Sequence, residues 1–167
     1  MHVDDLVIAS KSKATIEAFK VEISKVFKIH DLGPTSLILN IRIERDRAKR
    51  KITLDQTHYI DSIFADHMSH DHLNGCDIPL AGQLSSKDCP STPEEVAHMS
   101  KIPYREVVGK LLYLSIATRP DIALAVGILY RFNHNPGPKH WAAVKQTLRY
   151  IKATRALKLH YGPSDIN

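Results

Sequence analysis

The chain has 167 residues, 43% hydrophobic and 25% charged, which makes one ordinary globular domain with enough apolar material for a core. No stretch approaches the roughly 18 uninterrupted apolar residues of a membrane span and no basic-then-apolar leader opens it, so an intracellular protein (cytoplasm or nucleus) with no membrane partner is expected. The net charge of +5 is unevenly placed: residues 101–160 hold eleven Lys and Arg against Glu106 and Asp121, while the remainder is net −4, an asymmetry that points to a polyanionic partner, nucleic acid first.

The opening "MHVDDLVIAS" reads as a strand interrupted by two adjacent acids, Asp4 and Asp5. Successive side chains on a strand face opposite ways, so the pair cannot sit wholly in solvent. Either a bound cation compensates one of them, or the two belong to a solvated turn. Ser10 or Ser12 then caps a helix carrying Ile16, Phe19, Ile23, Val26 and Phe27 at helical spacing. Residues 28–32 read as a short extended piece stopped by Gly33-Pro34. In "SLILNIRIER" the alternation of Leu37, Leu39, Ile41 and Ile43 with Asn40, Arg42 and Glu44 predicts one half-buried strand. A charged turn over 46–50 returns into "KITL", forming a hairpin, and Asp55 caps a helix with Tyr59, Ile60, Ile63 and Phe64 on one face.

From about 69 to 100 the periodicity fails, and a linker between two subdomains is expected. Cys76 and Cys89 lie in it and read as free thiols. Three helices follow, announced by Pro103, Pro120 and Pro138 at helix-opening positions. The third carries Trp141, Val144, Leu148 and Ile151 on one stripe, with Lys145, Arg149 and Lys152 at i, i+4 and i+7 beside it. A row of cations at that spacing can follow a phosphate backbone, or can be a solvated face. "ALKLHY" closes the pattern as a last strand, alternating Leu157, Leu159 and Tyr161 with Lys158 and His160.

Several of these stretches together resemble the C-terminal part of the reverse transcriptase domain of copia-type retrotransposons. "HVDDLVIAS" is similar to the family's Tyr-Val-Asp-Asp signature. "DLGPTSLILNIRI" is similar to its Asp-Leu-Gly and Leu-Gly-Ile-Glu segment, and "ITLDQTHYIDSIF" to its Leu-x-Gln-x-x-Tyr helix. "YREVVGKLLYLSIATRPDIALAV" followed by "HWAAVKQTLRYIKAT" is the most specific match in residues, spacing and order. His2 stands where the family has Tyr, Asn40 where it has Gly, Arg42 where it has Glu, and Ala153 where it has Gly.

The resemblance implies an α+β fold: a partial polymerase palm of antiparallel strands with packed helices over 1–68, a linker over 69–100, and a basic helical thumb or connection-like region over 101–167. It implies Asp4 as the principal Mg²⁺ ligand and Asp5 as its neighbour, within a site that clamps attacking and leaving oxygens during phosphoryl transfer. His2 falls near the family's incoming nucleotide, and Asn40 reads as drift inside a strand. Fingers, the first palm carboxylate and an RNase H domain belong to the parent polyprotein outside this match. The expectation is therefore a truncated RNA-directed DNA polymerase, inactive alone, whose partners are a template-primer duplex and those missing portions. Two other readings stand beside it. One is a non-enzymatic nucleic-acid-binding remnant using the basic helices; the other is a phosphotransferase pairing Asp4 and Asp5 with Asp31 or Asp55. His67, His70, His72 and Cys76 match no strong zinc spacing. Arg119-Pro120-Asp121 reads as structural, with Asp121 complementing a helix dipole, and Trp141 reads as core.

Overall fold

The computed structural model describes residues 6–67 and 74–163; Asp4, Asp5 and His2 lie outside them. Helix α1 (Lys13–Ser24) starts after Ser12 as its apolar spacing predicts, yet it buries none of its residues. Phe19 and Val21 on it, and Val26 and Phe27 just beyond, remain exposed. The expected opening strand is corrected over its described part. Residues 6–10 carry no regular structure and Leu6 and Val7 are exposed, because among the described residues no neighbouring strand offers their backbone a ladder.

Strands β1 (Leu37–Ile38), β2 (Ile41–Asp46), β3 (Lys51–Asp55) and β4 (Leu159–Tyr161) form one antiparallel sheet in that order. The single strand expected from Leu37 through Ile43 is instead a tight hairpin. Ile38 pairs with Ile41, which leaves Leu39 and Asn40 as a two-residue turn at φ 48° and 60°. Left-handed backbone at both central positions is the turn geometry whose twist matches paired strands. A two-residue turn reverses parity: Ile38 shares the inner face with Ile41 and Ile43, while Leu37 and Leu39, apolar at the positions a continuous strand would bury, are left exposed. Asn40 is thereby corrected too: it occupies a turn position that favours Gly, and Asn is among the side chains that tolerate it best. The second hairpin forms as expected, with Arg42 opposite Asp55 and Asp46 opposite Lys51. β4 then pairs Ile52 with Tyr161 and Leu54 with Leu159, so the end of the chain returns to its front half.

The core is helical. It joins Ile60 and Ile63 of α2 (Thr57–His67) to Tyr104, Val107, Val108, Leu111 and Leu114 of α4 (Tyr104–Ala117), which follows α3 (Pro93–Met99). Val126 and Leu129 of α5 (Ala123–Tyr130) and Val144, Leu148 and Ile151 of α6 (Pro138–Ala153) complete it. Pro138 opens α6 as predicted; Pro103 is an N-cap, and Pro120 opens a 3₁₀ turn, Pro120–Ile122, that leads into α5. The aperiodic stretch over 69–100 is not structureless, since it contains α3 and a 3₁₀ turn, Ser86–Asp88. Thr92 accepts from the Glu95 amide at 3.3 Å while the Glu95 carboxylate accepts from the Ser91 amide at 2.8 Å, and Pro93 supplies the first turn. This stretch lies along α6. Thr147 donates to the Pro79 carbonyl at 2.9 Å, and the Asp88 carbonyl approaches Gly137 so closely that a Cβ there would meet it at 2.0 Å. Among the described residues no helix is long and apolar enough to cross a membrane.

Candidate nucleic-acid interface

Helix α6 has sixteen residues and not one acid. Its buried face is Ala143, Val144, Thr147, Leu148 and Ile151. Lys145, Arg149 and Lys152 recur on a separate stripe, the first two half-buried and the third exposed. Packing has therefore fixed most of the length of two cationic side chains while the stripe still reaches the surface. The Arg149 Nε is buried without a hydrogen-bond partner. Trp141 is half-buried against the core, as expected from its place on the apolar stripe.

Both ends of the helix are clamped. At the start, the Gly137 amide donates to Nδ1 of the fully buried His140 at 2.8 Å, and that ring stacks on Phe132 at 4.1 Å. Burial pushes the His140 pKa down, so the accepting, neutral imidazole is the form the cap uses. At the end, Arg119 is 1% exposed and grips Asp121 through Nε at 2.9 Å and a terminal nitrogen at 2.7 Å. The same guanidinium donates to the Thr154 hydroxyl at 2.6 Å, beyond the last turn of α6, and lies over the Tyr150 ring. Arg155 closes a bidentate pair with Asp61 of α2 at 2.6 and 2.5 Å. The structural role read for Arg119-Pro120-Asp121 stands, but the buried arginine carries it. Nothing in the sequence marks that arginine, because residue type alone places Arg at the surface.

The charge asymmetry has a different meaning in three dimensions. Lys110 pairs with Asp66 at 2.8 Å, Lys139 with Asp88 at 2.9 Å, Arg155 with Asp61, and Lys158 with Asp55 at 3.1 Å. Each of these acids lies outside 101–160, so much of the basic excess is neutralised by the acidic front of the same chain. Burial pushes the Asp55 carboxyl up, but the Thr57 hydroxyl and amide and the Lys158 ammonium outweigh it and bring it down to about 2. Lys139 and the Ser85 amide likewise hold Asp88 at about 2. The excess of 101–160 is thus partly internal to the fold, and the α6 stripe is the part of it that recurs regularly along one helix.

Asp31 and Asp55, the acids considered as partners for Asp4 and Asp5, have structural work of their own. Asp31 accepts from Lys20 at 2.8 Å and from the Gly33 amide at 2.9 Å; Asp55 caps α2 and pairs with Lys158. Among the described residues no three His, Cys, Asp or Glu side chains converge on a metal-sized site. His67 contacts Lys110 and Cys76 bonds the Gln146 carbonyl, while His70 and His72 lie outside the described residues.

Residues 1–82, from the paired acids through α1, the first three strands and α2, match the family described as reverse transcriptase (RNA-dependent DNA polymerase). Over 167 residues the chain is 44% identical to the retrovirus-related Pol polyprotein from transposon TNT 1-94 of Nicotiana tabacum, an alignment covering 99% of this chain and 12% of that polyprotein. It is 31% identical over 162 residues to a putative transposon Ty5-1 protein of Saccharomyces cerevisiae, covering 96% of this chain and 50% of that protein. The chain is thus similar to the reverse transcriptase region of retrotransposon Pol polyproteins. The chain is also 29% identical over 154 residues to an uncharacterized mitochondrial protein of Arabidopsis thaliana, covering 92% of this chain and 60% of that protein. It thus spans between about an eighth and three fifths of these relatives' lengths. No solved structure matches it.

Proposed function

We propose that this copia-type segment contributes part of the palm and the thumb or connection-like helices to an RNA-directed DNA polymerase, and that α6 is its contact with duplex nucleic acid. The observation that carries the reading is the acid-free α6, clamped at both ends, with Lys145, Arg149 and Lys152 on one stripe. Phosphate contacts need charge and position but no metal, so the 167-residue chain alone binds duplex weakly and without sequence preference, with Kd of about 10⁻⁴ to 10⁻⁶ M near physiological salt. Asp4 and Asp5 supply two carboxylates for Mg²⁺ in the polymerase. The third acid of such a site comes from a palm strand that precedes the signature in the family, and so from outside these residues.

Fluorescence anisotropy with a labelled duplex at several salt concentrations tests the interface. Replacing Lys145, Arg149 and Lys152 together by Gln should weaken binding and flatten the salt slope by about 2 to 3, whereas Asp4→Asn should leave both nearly unchanged. A triple variant with the wild-type slope would reduce this stripe to a solvated surface. A primer-extension assay tests the other half: the chain alone should incorporate no nucleotide with Mg²⁺ or Mn²⁺. Template-dependent incorporation abolished by Asp4→Asn would overturn it.

A further inference from the structure

The hairpin joining β2 to β3 concentrates charge in a way that neither the sheet nor the α6 interface uses. Residues 45–51 read Arg-Asp-Arg-Ala-Lys-Arg-Lys, five cations and one acid, and every one of them is exposed. The single acid is occupied by the turn itself: Asp46 accepts from the Lys49 amide at 3.0 Å and stands 3.8 Å from the Lys49 ammonium. Arg45, Arg47 and Arg50 make no side-chain hydrogen bond or ion pair with the described residues. Like charges this close repel and cost stability in the free protein. Arg50 adds a second cost. It sits at φ 54°, in the left-handed region where Gly or Asn is the inexpensive residue. A turn that keeps an arginine against its own backbone preference, beside two further arginines unpaired among the described residues, breaks a local rule with no compensating side-chain contact among those residues.

We infer that the β2–β3 hairpin tip is a second phosphate-backbone contact for duplex nucleic acid, made by Arg45, Arg47 and Arg50. The guanidinium group suits this chemistry because its planar fork meets two phosphate oxygens at once and is weakly hydrated. Asp55 is five residue steps along β3 from Arg50, about 17 Å at the rise of an extended strand. Asp55 pairs with Lys158, shortly after α6, and Ile52 next to the tip pairs with Tyr161, so β4 runs from the α6 end of β3 toward the tip. A duplex touching both would be held at two separated points. The inference rests on the chain's being a nucleic-acid binder, but not on α6 being the contact.

The test is anisotropy of the full chain with a fluorescein-labelled RNA–DNA hybrid, across a salt series, in four arms. Arg45→Gln, Arg47→Gln and Arg50→Gly combined should lower affinity about tenfold or more and reduce the salt slope by about 2 to 3. Arg50→Gly alone should weaken binding while the melting temperature stays level or rises, since Gly relieves the left-handed strain. Arg45→Lys with Arg47→Lys should retain the salt slope. The fourth arm is the α6 triple variant. If the hairpin variant binds like wild type while the α6 variant is weakened, this inference fails and the α6 reading stands; the reverse outcome removes the α6 reading and leaves the hairpin. A wild-type chain that does not bind the hybrid at all refutes both.

Discussion

Asn40 and Arg119 sit where residue type alone gives the wrong environment. In a strand, Val at position 40 would be welcome; at φ 60° in a two-residue turn its branched Cβ meets the backbone. Asn40→Val should therefore destabilise by about 1–2 kcal/mol, and Asn40→Gly should change stability by no more than about 0.5 kcal/mol, both read from urea denaturation. A stabilising Val would restore the continuous strand. Arg119 is legible as a turn residue but not as the most deeply buried charge of the helical core. Arg119→Ala should cost about 3 kcal/mol, because it empties the buried space the side chain fills and removes its hydrogen bonds to the Thr154 carbonyl and to the partly exposed Asp121. Replacing Asp61, whose partner Arg155 is exposed, should cost about 1 kcal/mol or less. Equal losses at the two sites would contradict the burial assigned to Arg119.

Helices with an apolar face and a proline or Asp55 start were legible in the sequence, and α2, α4, α5 and α6 stand where period and punctuation put them. What the sequence hid was the consequence of short range. A seven-residue helix has too few turns to show a period, so α3 was signalled only by Thr92-Pro93-Glu94-Glu95, a capping pattern rather than a stripe. Thr92→Ala should accordingly cost about 1 kcal/mol. Gly137→Ala should cost more, since the Asp88 carbonyl occupies the space of the new methyl and the whole 86–88 turn must shift off α6. The opposite ordering would mean that the turn does not pack there. α1 shows the converse limit: its helical period is correct, yet it buries nothing within the described residues. Hydrogen exchange should find α1 poorly protected and α4 and α6 slow, because helix stability comes mostly from the packed face. Uniform protection across all three would show that α1 has a partner surface.

Across the whole molecule, the acidic front and the basic back are complementary halves of one fold, which a count along the sequence registered only as asymmetry. Acid should undo that complementarity in order. His140 is held neutral with a lowered pKa, so its contribution is complete above about 6.5 and is lost as pH falls through its folded value. Asp55 and Asp88, both at about 2, contribute fully above the ordinary carboxylate value and lose that contribution as pH drops toward 2. Stability measured against pH should fall in two stages, the first erased by His140→Gln and the second blunted by Lys158→Met. The same pairing bounds how strongly the chain can hold a polyanion. The slope of log K against log salt for the unmodified chain on a labelled duplex measures it directly, at about 0.9 per phosphate neutralised. Contacts confined to the α6 stripe and the hairpin tip give a slope between about −3 and −6. A slope near −10 would mean that cations such as Lys110, Lys139, Arg155 and Lys158 are also spent on phosphate, and a slope near zero would mean that the basic stripe does not touch nucleic acid.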